Sequence, residues 1–227
     1  MKKTLKGLVK NKPLISILTA TLIFLVSMML VAAVNVYLFK DYFNNAAALS
    51  VVGVIQTVTT LVAIPLATPL VKRFSKKEIA SVGMIVSGLA YLALYFIPNV
   101  GLTGFFIGAS FGLFGMAFFN IVIWAFVTDV IDYHELVTGL REDGTVYSIY
   151  SFSRKVGQAI AGGVGGFAIA FVGYQSGVAA QSAETLDGIY ALATLVPAIF
   201  YLSVALILIF FYPLTKARLA KMTEELA

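Results

Sequence analysis

The residues able to do chemistry are concentrated between Asn120 and Gln158, in NIVIWAFVTDVIDYHELVTGLREDGTVYSIYSFSRKVGQ. Five of the chain's eleven acidic residues fall there (Asp129, Asp132, Glu135, Glu142 and Asp143), together with Arg141, Arg154 and Lys155. Asp129 and Asp132 stand three apart, so on a helix they share a face. They are natural partners for Arg154 or Lys155 on the next segment, which predicts an ionic lock between two helix ends; a solvated charged loop is the alternative. His134 is the only histidine. A histidine titrates near neutral pH and can relay protons, but its place among charges predicts a solvated surface residue. No second His and no Cys offers metal-ligand spacing. Paired acids also hold Mg²⁺ for phosphoryl transfer, yet Asp129, Asp132 and Asp143 lack the spacing that membrane lipid-head-group transferases need.

A second group of polar residues interrupts apolar sequence. Asn120 and Trp124 are one turn apart, and an indole beside an amide suits stacking on a sugar ring. Asn35, Gln56 and Thr60 are similarly isolated. Such residues either glue helices together, at about a kcal/mol each, or line a polar cavity. If its helix starts near Val146, Lys155 lies roughly 13 Å along the axis at ~1.5 Å per residue. It either snorkels to the surface or faces water, since a lysine at the centre of a lipid-facing helix costs about 2.5–3.5 kcal/mol. Ser151 and Gln158 extend the same polar stripe.

The elements that must position these residues are apolar. Of 227 residues, 60% are hydrophobic and 12% charged, with mean hydropathy +0.94. A soluble domain is nearer half apolar and a quarter charged, so the class is an all-α, polytopic membrane protein, seated in the lipid bilayer. Six transmembrane helices are expected, over approximately 14–39, 49–71, 79–97, 102–130, 146–172 and 188–212, with a hinge loop over 131–145. Each is near or above the ~20 residues that cross a bilayer. The first follows MKKTLKGLVKNKP and exceeds a signal-peptide core of about 7–15 residues, so it reads as retained. Pro65 and Pro69 are expected to kink the second helix, which membrane helices tolerate.

Net charge is +5. Its distribution fits membrane topology rather than nucleic-acid binding. Fifteen of the sixteen Lys and Arg fall on one side of the six-helix arrangement: Lys2, Lys3, Lys6, Lys10 and Lys12; Lys72, Arg73, Lys76 and Lys77; Arg141, Arg154 and Lys155; Lys216, Arg218 and Lys221. Only Lys40 falls on the other. That bias predicts a cytoplasmic-membrane protein with both termini and the charged hinge facing the cytoplasm. Gly104, Gly108 and Gly112, then Gly162 and Gly166, recur at four-residue spacing, which lets helices approach closely in lipid.

The charged stretch also carries a resemblance. The run from Asp129 through Asp132, Tyr133, Glu135, Thr138, Gly139, Arg141, Asp143 and Gly144 to Tyr147 and Ser148 resembles D-x-x-D-Y-x-E-x-x-T-G-x-R-x-E-G followed by Y-S. The run Phe152, Arg154, Lys155, Gly157, Gln158, Ala159 resembles F-x-R-K-x-G-Q-A. Both belong to the glycoside–pentoside–hexuronide:cation symporters, the melibiose-carrier-like branch of the major facilitator superfamily. Gly173 and Tyr174 extend the likeness. Thr128, His134 and Asp143 depart from the usual residues without changing charge sign.

The resemblance implies that the six helices form one bundle, the C-terminal half of a major facilitator fold. It implies a secondary transporter, not an enzyme, that carries a sugar or glycoside with Na⁺ or H⁺ by alternating access. The partner would be an N-terminal six-helix bundle, which would bind most of the coupling cation; no resident cofactor or metal is expected. Asn120, Trp124, Lys155 and Gln158 would line the substrate path. Asp129, Asp132, Tyr133, Glu135, Arg141 and Arg154 would form the cytoplasmic gate. A split or truncated half, inactive alone, is the main alternative.

Overall fold

The computed structural model describes residues 11–226. Lys2, Lys3, Lys6 and Lys10, used in the topology count, lie outside the described residues. The described residues form helices joined by connections, the longest lying between Phe171 and Ala183, and local sequence accounts for several helix ends. Helix α1 (Lys12–Tyr37) starts where the Asn11 side chain accepts from the Leu14 amide at 2.9 Å, with Pro13 in the first turn, where its missing N–H costs nothing. It runs on through a π turn, Leu38–Tyr42. Helix α2 (Leu49–Arg73) contains Pro65 and Pro69. Helix α3 (Lys76–Phe96) is capped by Ser75, whose hydroxyl accepts from the Glu78 amide at 3.2 Å, the spacing of a capping box.

Helix α4 (Leu102–Thr138) is 37 residues long, about 55 Å at ~1.5 Å per residue. It passes the expected end at Val130 and stops at Gly139, whose φ of +70° is a left-handed helix-terminating conformation. Helix α5 (Asp143–Phe171) begins soon after, so the connection expected over 131–145 spans only 139–142. Helices α6 (Ala183–Ala193) and α7 (Leu195–Leu206) are nearly continuous; the break at Thr194 precedes Pro197, and α7 ends in a π turn, Ile207–Phe211. Helix α8 (Lys216–Leu226) closes the described chain.

Among the described residues, five stretches are long and apolar enough to cross a membrane: Lys12–Tyr42, Ala46–Arg73, Lys76–Phe96, Leu102–Thr138 and Ala183–Phe211. Helix α5 is long enough, but Arg154, Lys155, Gln158 and its glycines dilute its apolarity. In the bundle, α3 packs on α4 and α7, α1 packs on α5 and α7, and α2 lies mainly along α4. The core holds Phe24, Tyr91, Phe119 and Tyr201, and Phe24 lies 4.8 Å from Phe119 between ring centroids. Almost none of α2's apolar window is buried inside the chain; Val54, Val58, Leu61 and Ile64 point outward.

Glycines permit two close helix approaches. A Cβ on Gly115 would strike the Gly83 carbonyl oxygen, and one on Gly83 would strike the Gly115 carbonyl oxygen. Beside this crossing the Ser87 hydroxyl donates to the Gly112 carbonyl at 2.7 Å. On α5 the packing stripe is Gly157, Ala161 and Gly165 against α1, whereas Gly162 and Gly166 face open space. Gly115→Ala is therefore expected to destabilise by about 1–3 kcal/mol through overpacking. Gly162→Ala is expected to be neutral. Thermal unfolding of both variants in detergent checks this; equal melting temperatures would overturn it.

Candidate functional site

The charged end of the molecule is built from the last turns of α4, the short connection after Gly139, the first turn of α5 and the start of α3. Asp129 is 6% exposed, and its Oδ1 takes the Lys76 ammonium at 2.5 Å. The expected partners were Arg154 or Lys155. Lys76 wins because α3 runs along α4 from Ser75 onward, while α4 and α5 pack together only sparsely. Arg141 gathers the other acids: its Nη1 lies 2.7 Å from Glu135 and 3.4 Å from Asp132, and its Nε lies 3.1 Å from Asp143. Donating to Glu135 first and then to Asp143 pushes the guanidinium pKa up, so it stays charged. The Arg141 cluster is solvent-exposed, so water and salt screen each pair and it adds little to stability. The Lys76–Asp129 pair is shielded and matters more.

His134 is not a solvated surface residue: it is 1% exposed. The extension of α4 to Thr138 turns it inward, where its Nε2 lies 2.9 Å from Glu142 Oε2. The Thr138 hydroxyl donates to the His134 carbonyl at 2.7 Å. Helix α8 crosses the same end. Lys216 donates to the Lys72 carbonyl at 2.9 Å, satisfying the exposed end of α2. Arg218 lies over the Tyr133 ring, 5.9 Å from its centroid. A cavity of about 550 Å³ sits between α8 and the Lys76, Asp129, Asp132 and Arg141 side chains.

Toward the middle of the bundle, Trp124 is 43% exposed and forms an aromatic cluster with α5. It stacks on Tyr147 at 5.9 Å and meets Tyr150 edge-on at 5.5 Å between centroids. The Arg154 guanidinium lies over the indole at 5.3 Å, within cation–π range. Arg154 is thus a partner of Trp124 rather than of the acids. Asn120 is exposed on the same face of α4. Lys155 is exposed on α5 and Gln158 half-buried; neither has a partner among the described residues. In the sequence Tyr147 stands only in the family-like run and Tyr150 in no motif, although with Arg154 they fall on one helical face at three- and four-residue steps. Lys76 was counted only for topology.

The chain matches the family described as MFS/sugar transport protein over residues 1–216. It belongs to that family. The family moves its ligands across membranes and does not transform them, so the lipid-transferase alternative falls. The chain is 35% identical over 225 residues to a putative sulfoquinovose importer of Salmonella typhimurium, covering 99% of this chain and 47% of the importer. It is 30% identical to a glucuronide carrier protein homolog of Escherichia coli, covering 98% of this chain and 49% of that protein. An isoprimeverose transporter of Lactiplantibacillus pentosus is 29% identical over 93% of this chain and 44% of its own length. The chain spans about half the length of these curated relatives.

Proposed function

We propose that the chain is the C-terminal six-helix bundle of a carrier that moves a sugar or glycoside together with Na⁺ or H⁺ by alternating access. One observation supports this above the others: proteins named as carriers of sugars and glycosides match nearly all of this chain but about half of themselves. An N-terminal six-helix bundle is the expected partner. The outward apolar face of α2 and the unpaired polar face of α5 are the surfaces such a bundle would cover. Helix α5 completes the set of six spans once its Lys155 face is turned to a water-filled path, where an intramembrane charge is tolerated. Both termini and the Arg141 cluster face the cytoplasm in this reading, as the basic-residue bias requires.

The substrate path runs past Asn120, Trp124, Lys155 and Gln158, with the sugar's apolar face on the indole. The inner gate comprises Asp129, Asp132, Tyr133, Glu135, Arg141 and Arg154. Lys76 belongs with them through Asp129, and Arg154 acts through Trp124. Rocking of the two bundles breaks and remakes these contacts around a central site. An inward-moving cation contributes about 2.3 kcal/mol per charge per 100 mV. Uptake by the complete carrier tests the reading, using labelled neutral glycosides, a glucuronide and a sulfonated sugar under imposed Na⁺ or H⁺ gradients. Gradient-dependent accumulation of one class is expected. Verified membrane insertion with no uptake of any class would overturn the proposal.

A further inference from the structure

A second concave site lies at the other end of the bundle, away from the charged loop. Helix α2 packs along α4 and barely touches α1, leaving a cleft of about 290 Å³ between α1 and α2. Its floor holds Asn35, Tyr91 and Tyr201, and its mouth holds Gly53 and Gln56. The two tyrosine rings meet edge-on at 5.7 Å. Asn35 is 6% exposed, and its Oδ1 has no hydrogen-bond partner. Leaving such an acceptor unsatisfied costs about 1–3 kcal/mol. Its counterpart is therefore a donor that enters the cleft from outside.

The walls narrow the class of donor. Among the described residues no charged side chain lines the cleft, which disfavours a cation or an anion as the occupant. A lipid acyl chain would leave the amide oxygen unpaired. The volume would hold roughly ten waters at about 30 Å³ each, but a water needs two to four polar partners, and these walls offer few. A largely apolar hollow with a few placed polar groups is the form of a small-molecule pocket. A sugar ring matches it on both counts: hydroxyls for Asn35 and Gln56, and C–H faces for the tyrosine rings.

We infer that this cleft is a distinct sugar-hydroxyl site on the transport path, in which Asn35 accepts from a ring hydroxyl and Gln56 closes over the mouth. Met116 of α4 also lines it. Eight residues separate Met116 from Trp124, about 12 Å at ~1.5 Å per residue. The cleft is thus a station beyond the Trp124 cluster, farther from the charged end, reached before or after it during transport. This inference rests on the sugar-carrier reading.

The test uses thiol protection in the complete carrier. This chain has no cysteine, so Gly53→Cys gives it a single thiol at the mouth of the cleft. A Cβ at Gly53 meets no atom within 4 Å, so the substitution leaves the fold intact. Saturating transported sugar is expected to slow maleimide labelling of Gly53→Cys about tenfold, the factor that ~1.4 kcal/mol of occupancy free energy supplies. Val54→Cys, on the outward face of the same turn, serves as the control for general closure and is expected to label at an unchanged rate. Adding Asn35→Leu to Gly53→Cys is expected to abolish the protection. Equal protection at both thiols, or protection that survives Asn35→Leu, would overturn the inference. Uptake without any protection at Gly53→Cys would overturn this inference alone. No uptake of any sugar would overturn the carrier reading and this site with it.

Discussion

Replacing Lys76 with methionine is expected to destabilise the protein by about 3–5 kcal/mol, because a buried charge loses its partner. Asp129 is almost wholly buried, and its second carboxylate oxygen has no partner. Lys76 is the only base that reaches it among the described residues. The lysine side chain is itself 23% exposed, so it can turn toward water if the acid is removed. The two single variants should therefore differ: Lys76→Met severe, Asp129→Asn mild. The double variant Lys76→Met with Asp129→Leu should recover most of the loss, since replacing both members of a buried pair with apolar groups is often neutral. Thermal unfolding in detergent and the monodisperse fraction on size exclusion read this directly. A harmless Lys76→Met, or equal losses in the two single variants, would sink it. Because the pair ties the start of α3 to the end of α4, the same variants should loosen the charged end of the bundle.

The helices were legible because their signals are local. Pro13 marks the first start, whereas the equally local Ser75–Glu78 box and left-handed Gly139 were passed over, so the third helix starts at Lys76 rather than 79 and the fourth ends at Thr138 rather than Val130. What sequence did not disclose depends on which helix lies beside which. Asp129 had two bases on the following segment, and sequence proximity favoured them; its partner came from α3 because α3, not α5, runs along α4. His134 looked solvated among charges, but one more helical stretch of α4 turned it inward to Glu142. The four-residue spacing of Gly162 and Gly166 on α5 suggested a packing face, but these two meet nothing within 4 Å, and Gly157 and Gly165 meet α1 instead. Spacing names a face only up to rotation of the helix, and only the neighbour's position fixes that rotation. The Trp124 cluster shows the same limit, since the indole was visible in the sequence and its tyrosine and arginine partners were not.

Lys155→Ala in the complete carrier is expected to lower sugar accumulation by at least tenfold, a transport loss of about 1.4 kcal/mol or more, while leaving membrane insertion and stability intact. The physical reason is that Lys155 contributes nothing visible to the fold. It is exposed on α5 and has no partner among the described residues, so removing it breaks no contact within the bundle. Holding an ammonium at that depth in contact with lipid would cost about 2.5–3.5 kcal/mol; a fold that keeps it there must turn it toward water, a substrate or the opposing bundle. The first two would put the charge on the proposed path; the third would make it a contact between bundles. Lys155→Arg keeps the charge but replaces a compact ammonium with a planar fork, and is expected to retain binding while slowing turnover. Uptake rate and bound sugar, measured separately for the two variants, distinguish a lost charge from a lost shape. Normal accumulation by Lys155→Ala would remove Lys155 from the path. A fall in uptake matched by a fall in thermal stability would instead make its role structural, acting through a contact with the other bundle.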